Sequence, residues 1–408
     1  MNTGRAVKKT VLCCKAKGKA ITIVYLPAFI SAIFIIRKAR YEKYSSSGLS
    51  LKLIKESPFR GASTMRIWKI ENKNMLYEII LKTTPEKMDQ ALNEKNKDKY
   101  YYNSFEIQKK HGKRQIYCVE KENQIFSLQK NLTEQFLKNI MLSDAVYGFV
   151  EGTNYLDFLN EHTSFQGTKN YLRLDIKSFF DTIREDRIRE VLQYYISDEC
   201  RSKTYILDKI VDILLYNGRV IQGAPSSPAI SNIIFRQIDL RIQKYCNKCR
   251  VDYSRYVDDL LFSSENNNIH HSRFISGINH ILSSYGFKIN YQKTIKAKNE
   301  ISLGGFVIST DIRLSRNKLK NLKRVLYFLD HNKFVNTEEY FKQLTRTIKK
   351  DKGSQKFESK YQLENYLAGY RSFLVLVKRY SKNENYKCHL DKTIDSIEKK
   401  IDVIEQSK

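Results

Sequence analysis

Apolar and polar residues alternate through "NYLRLDI", with Tyr171, Arg173 and Asp175 on one face and Leu172, Leu174 and Ile176 on the other. A period of two predicts a half-buried strand that ends at Asp175. "VDYSRYVDDLLFSS" reads as strand, turn, strand, with Asp258 at the turn and Asp259 beside it, because aspartate tolerates turn geometry and bonds its own backbone. After "IQGAPSSP", the residues Ile230, Ile233, Ile234, Ile238, Leu240 and Ile242 define a helix opened by a Ser-Pro start. Ile125, Phe126, Leu128, Leu132, Phe136, Leu137 and Ile140 recur at helical spacing in "QIFSLQKNLTEQFLKNIM". "HSRFISGINHILSSYGFKIN" predicts an amphipathic helix ending near Gly286. "GKRQIYCVEKE" alternates as a strand, and "ISLGGFVIST" reads as a short strand pair. Residues 80–110 are polar and lysine-rich and predict helix and surface loop, whereas residues 315–380 are predominantly helical.

At 408 residues and 41% hydrophobic content, the chain can build sizeable cores. It has no internal repeat and only 5 prolines and 16 glycines, so its lobes are expected to run into one another. Lysine and arginine number 72 against 44 aspartates and glutamates, a formal net charge of +28 with a pI near 9.6. Such an excess argues against an enzyme of small neutral molecules and implies a polyanionic partner. It is uneven: residues 1–120 hold 25 basic and 10 acidic side chains, residues 121–310 hold 24 and 21, and residues 311–408 hold 23 and 13. A basic–neutral–basic layout suits two outer lobes gripping a nucleic-acid backbone, with some of the 27 tyrosines and 21 phenylalanines available for base stacking.

The seven cysteines form no regular framework, and a reducing cytoplasm is expected. "CNKC", from Cys246 to Cys249, has zinc-like spacing but no second ligand pair nearby. The apolar run Ile21 to Ile36 contains Pro27 and is shorter than the ~20 residues of a spanning helix, so a membrane partner is not expected. It also lacks a signal-peptide cleavage pattern.

Asp258 and Asp259 repel each other, and a neighbouring strand ending at Asp175 would add a third carboxylate. Three converging carboxylates call for cations, and hard oxygen ligands suit Mg²⁺. Two such ions about 4 Å apart can activate a 3′-hydroxyl and stabilise leaving pyrophosphate.

The ordered set "RLDIKSFFDTI", "QGAPSSP", "YVDD", "YGFKINYQKT" and "SLGGFVIS" resembles the palm motifs of reverse transcriptases, from about Lys113 to Ser309. The resemblance implies an α+β right-hand polymerase: an N-terminal extension (1–50), fingers with palm elements (51–170), a palm whose antiparallel sheet carries the YVDD hairpin (171–310), and a helical thumb (311–408). It implies RNA-directed DNA synthesis with two Mg²⁺ ions, Mn²⁺ able to substitute, held by Asp175, Asp258, Asp259 and the carbonyl of Ile176. Phe180 falls where the family places an aromatic ring under the sugar of the incoming nucleotide, which would favour dNTPs. Lys113 and Arg114 resemble the basic strand that holds the triphosphate. Gln222 and Gly223 would line the nucleotide pocket, Gly304 and Gly305 would grip the primer, and Lys293 is the candidate general acid for pyrophosphate.

Upstream, "YGFVEGTNYLDFLNEHT" resembles a segment of bacterial retron-type enzymes, keeping Gly148, Phe149, Gly152 and His162, with Phe158 and Leu159 where those enzymes have Asn-Ala. Leu303, Gly304 and Gly305 stand where retron enzymes tend to carry Val-Thr-Gly. Ser227-Pro228 departs from diversity-generating enzymes, and the segment after the palm is short for a group II intron protein. The expectation is a retron-type or group II-like enzyme of the bacterial cytoplasm, similar to stand-alone, abortive-infection-like reverse transcriptases that defend against phage. Its partners are then an RNA template, taken as a dedicated non-coding RNA, a DNA product or primer strand, and dNTPs. A homo-oligomer or an accessory defence protein is compatible with the sequence. Two alternatives stay open: template-independent or protein-primed synthesis by the same palm, and a non-catalytic nucleic-acid binder.

Overall fold

The computed structural model describes residues 69–95, 103–108, 113–163, 168–348 and 357–407. The run Ile21 to Ile36 and the rest of the 1–50 extension lie outside them. The described residues form a larger unit, from 69–161 and 170–297, and a smaller one, from 162–169 and 298–407.

In chain order the larger unit starts with a π-helical segment (Met75–Leu81) and α1 (Pro85–Lys95). β1 (Asn103–Gln108) and β2 (Lys113–Cys118) pair antiparallel, from Asn103 opposite Cys118 to Gln108 opposite Lys113. β1 lies where the sequence predicts helix and loop. Its alternation rests on Phe105 and Ile107 alone, so pairing with β2, rather than local pattern, makes it a strand. α2 (Gln124–Gln135) is capped by the Asn123 side chain, which accepts the Ile125 N–H at 3.0 Å. Ile125, Leu128 and Leu132 are buried from this helix. It ends before Phe136, whose φ of −130° passes the stripe to a short 3₁₀ turn (Leu137–Asn139). α3 (Tyr155–Asn160) opens on a reciprocal cap between Asn154 and Asp157.

β3 (Asn170–Asp175) ends at the expected aspartate and is followed by α4 (Phe179–Thr182), α5 (Glu185–Leu192) and α6 (Lys203–Leu214). α7 (Ser227–Cys249) has Pro228 in its first turn, where a missing N–H leaves no bond unmade. Its buried stripe holds Ile230, Ile233, Ile234, Ile238 and Ile242, whereas Leu240, expected among them, is exposed at 42%. Two residues at 100° each turn Leu240 far from the face of Ile238. β4 (Asp252–Tyr256), β5 (Asp259–Ser264), α8 (Ser272–Ser283) and β6 (Ile295–Lys298) complete the unit. Gly286, at φ +81°, stops the chain just after α8.

The main sheet has the order β4-β5-β3-β6, with β3 and β4 both antiparallel to β5. α7 packs beside β4, and one core joins Leu172, Leu174, Leu260 and Phe262 of the sheet to the α7 isoleucines. Each fully buried side chain of this kind contributes about 1.5–3 kcal/mol, so the two central strands are held against α7 far more firmly than their hydrogen bonds alone require.

In the smaller unit, the expected strand pair gains a third strand: β7 (Ile301–Leu303), β8 (Phe306–Ile308) and β9 (Ile312–Leu314). Asp311, buried before β9, accepts the Ser381 hydroxyl at 2.6 Å and the Lys382 N–H at 2.8 Å. The helices are α9 (Arg316–His331), α10 (Glu338–Thr347), α11 (Lys360–Tyr380) and α12 (Glu384–Gln406), with α11 and α12 packed together. Among the described residues, no helix is long and apolar enough to cross a membrane.

Candidate active site

β3 and β5 run antiparallel in a register that sets Asp175 directly opposite Asp259. Tyr256 of β4 also faces Asp259, so Val257 and Asp258 form a two-residue turn. The Ile176 N–H extends the ladder by donating to the Asp258 carbonyl at 3.0 Å. End of strand and tip of hairpin are thereby tied together, and Asp175, Asp258 and Asp259 become neighbours. Val257 holds a φ of +59°. A β-branched residue in the left-handed region stores about 1–3 kcal/mol of strain, which its surroundings must over-determine.

The electrostatics follow from the pleat. Arg173 lies two residues before Asp175 on the same face of β3 and diagonally across from Asp259. Its Nη2 donates to Asp175 Oδ2 at 3.4 Å and to Asp259 Oδ1, while Nη1 donates to the Lys293 carbonyl at 3.1 Å. Lys293 Nζ reaches both Asp175 carboxylate oxygens at 3.0 Å. Asn290 donates its side-chain amide to Asp175 Oδ1 at 3.1 Å and its backbone N–H to the Asp175 carbonyl at 2.7 Å. Burial, above all, pushes the Asp259 carboxyl up to about 6. The Arg173 guanidinium opposes that shift, and the charges of Asp258 and Asp175 add to it.

Among the described residues, no three His, Cys, Asp or Glu side chains are gathered in an arrangement that could hold a metal ion. Asp175 and Asp259 instead share a guanidinium. The donors themselves are all oxygen, and two of them face each other across a strand pair. This chemistry fits a hard divalent ion.

The other expected site residues are placed as follows. Phe180 sits half-buried in α4, its ring edge-on to Phe179 at 5.3 Å, while Phe179 turns inward to Phe235 and Phe287. Gln222 and Gly223 lie in the loop before α7. Gly223 is exposed at φ +110°, a conformation that suits glycine. Lys113 and Arg114 open β2 opposite Gln108 and Ile107. Gly304 and Gly305, at φ +57° and +90°, form the β7–β8 turn in the smaller unit. The expectations did not single out Arg173 and Asn290 as site residues. Arg173 had a visible signal, its place on the Asp175 face of an alternating strand. Asn290 lies within the motif "YGFKINYQKT", but its contact with Asp175 spans 115 residues of chain and has no local pattern.

The upstream segment also finds its place. Phe158 and Leu159 are fully buried, so these departures from Asn-Ala are core residues. Tyr155 packs edge-on to Tyr256 at 5.0 Å, and burial raises its phenol far above the usual range. Gly148 lies against the hairpin turn: a Cβ there would come within 2.5 Å of the Val257 nitrogen.

Residues 80–308 match the family model described as "Reverse transcriptase (RNA-dependent DNA polymerase)". Among curated proteins, the chain is 30% identical to the retron Ec83 reverse transcriptase of Escherichia coli, over 35% of this chain and 46% of that protein. It is 24% identical to the retron Mx65 reverse transcriptase of Myxococcus xanthus, over 56% of each. Against the retron Ec86 reverse transcriptase of Escherichia coli it is also 24% identical, over 56% of this chain and 70% of that protein. The match thus spans about half the length of the first two relatives. All three are retron enzymes, although Leu303, Gly304 and Gly305 replace the Val-Thr-Gly expected of that group.

Proposed function

The chain belongs to the reverse transcriptase family and is retron-type in its similarities, and on that premise we propose that it is an RNA-directed DNA polymerase whose chemistry is centred on Asp175, Asp258 and Asp259. The observation that carries the reading is the β3–β5 register, which opposes Asp175 to Asp259 and bonds Ile176 to Asp258. The family implies dependence on divalent cations. Asp175, Asp258 and Asp259, with the Ile176 carbonyl, would hold two Mg²⁺ ions, replaceable by Mn²⁺. Such ions, when bound, activate the primer hydroxyl and neutralise the triphosphate.

The chain's own residues take the remaining roles. Phe180, half-buried and backed by Phe179, presents a rigid ring that leaves no room for a 2′-hydroxyl. Lys113 and Arg114 bind the triphosphate, Arg by its fork and Lys as a point charge. Gln222 and Gly223 line the nucleotide pocket. Lys293 protonates pyrophosphate, a role supported by the 3.0 Å between its Nζ and the Asp175 oxygens. Gly304 and Gly305 grip the primer through a turn that only small residues adopt readily. The sheet with its hairpin is the palm, β1 and β2 belong to the fingers, and α9 to α12 form the thumb. The basic surplus of both chain ends suits a nucleic-acid duplex, with a dedicated non-coding RNA as template.

The test supplies a primed RNA template, Mg²⁺ and labelled dNTPs or NTPs to the wild type and to an Asp258→Ala, Asp259→Ala variant, and sequences the product. Template-complementary DNA from the wild type alone supports the reading. DNA unrelated to the template, or linked to protein, would shift it to untemplated or protein-primed synthesis. No product from any template would leave a nucleic-acid binder. Phe180→Ala should admit ribonucleotides that the wild type rejects. The anti-phage role rests on likeness to defence-associated enzymes, and unchanged phage plating with and without the Asp258 and Asp259 carboxylates would remove it.

A further inference from the structure

A two-residue hairpin of this kind ordinarily has glycine where Val257 stands, so valine's own preference does not set the turn's shape. The surroundings must impose it. Arg255, two residues earlier on β4, is fully buried, and its Nη1 donates to the Val257 carbonyl at 3.1 Å. The same nitrogen donates to Asn232 Oδ1 at 3.1 Å. Nε and Nη2 form a fork on Asp239 of α7, at 2.8 Å to Oδ1 and 2.8 Å to Oδ2. Asp239 is itself fully buried and also accepts the Tyr253 hydroxyl at 2.8 Å. Asn232 completes the brace by donating to the Gly148 carbonyl at 2.8 Å, and Gly148 is the residue whose missing Cβ lets the backbone approach Val257. The guanidinium also lies 4.6 Å over the Phe235 ring.

From this geometry we infer that Arg255 is a positioning residue: anchored on α7 by Asp239, it locks the left-handed conformation of Val257 and so fixes where Asp258 and Asp259 point. The inference rests on the reading of Asp175, Asp258 and Asp259 as the carboxylates that hold divalent ions. Arg255 bonds the backbone of the turn at Val257, and its charge also acts on Asp258. It acts through the backbone of the turn, as partners behind metal ligands do when their loss costs about 10–100-fold in metal affinity. A lysine at 255 keeps the charge but lacks the planar fork, and it cannot reach Asp239, Asn232 and Val257 together.

The test measures Mn²⁺ binding to the full chain by electron paramagnetic resonance of the free ion, together with unfolding temperature, for wild type, Arg255→Lys, Val257→Gly and the double variant. Arg255→Lys is expected to weaken Mn²⁺ binding by about 10–100-fold. Adding Val257→Gly should restore much of that affinity, because glycine takes a positive φ without help. An ion pair that merely stabilised the fold would lower the unfolding temperature, leave the affinity unchanged and gain nothing from glycine. Unchanged affinity in Arg255→Lys, or no rescue by Val257→Gly, overturns the inference. Should Arg255→Lys fail to fold, Asn232→Ala is measured in its place. It removes the bonds to Arg255 and Gly148 while keeping the ion pair, and wild-type affinity there also overturns the inference. A wild type with no Mn²⁺ site sensitive to Asp258→Ala would instead overturn the reading of the carboxylates and this inference with it.

Discussion

β3 and β4 flank β5, and each contributes an arginine that pairs with an aspartate beside the same hairpin. Arg255 and Asp239 are both fully shielded from water, whereas the side chains of Arg173 and Asp259 keep exposures of 17% and 25%. The chemistry is the same and the solvent is different. A buried fork that also satisfies Tyr253 and Asn232 is fixed once the core closes, because opening it would strand an unpaired charge in a low-dielectric interior. The pair of Arg173 and Asp259 keeps some contact with water, so it opens at less cost. Burial thus separates the part of the site that must hold still from the part that must let go, using one residue pair twice.

Breaking the rear pair should have the largest effect. Asp239→Ala leaves the Arg255 guanidinium buried and unpaired, and urea unfolding is expected to show a loss of about 3–5 kcal/mol. A loss below 1 kcal/mol would mean that water enters behind the hairpin. Gly148→Ala drives a Cβ into the turn and should lower the unfolding free energy by about 1–3 kcal/mol. At the mouth, Arg173→Met should cost less stability than Asp239→Ala and should tighten Mn²⁺ binding by up to about fivefold, since the ion no longer displaces a guanidinium worth about 1 kcal/mol. Weaker binding in that variant would show that Arg173 organises the carboxylates rather than competing for them. The smallest effect on stability belongs to Lys293→Ala. With 52% of its side chain exposed, its removal should cost less than about 1 kcal/mol, and added salt should erase the difference.

The sequence makes the front of the site legible and hides the back. Period-two alternation marks β3 and places Arg173 with Asp175, and the split apolar runs around Asp258 mark the hairpin. Both are local patterns that survive without tertiary context. Ser227 and Pro228 likewise announce α7. The brace is invisible for the converse reason. Arg255 meets Asp239 across 16 residues and a change from strand to helix, and Asn232 meets Gly148 across 84. No local rule predicts Val257 at positive φ, because the turn is imposed by packing against valine's own preference. β1 and β9 are hidden on similar grounds: each is short, and hydrogen bonds to a partner strand define it more than its own residues do. Leu240 belongs to the predicted helix but faces solvent; an isoleucine-rich helix blurs its own period.

The most direct measurement of the central claim is primer extension on an RNA template by an Asp175→Asn variant whose unfolding temperature matches the wild type. That substitution keeps the side chain's shape and its place opposite Asp259 while removing the charge. The account predicts that the wild type copies the template into complementary DNA and that the variant makes none above background. Template-copied DNA from a folded Asp175→Asn protein at the wild-type rate would contradict it.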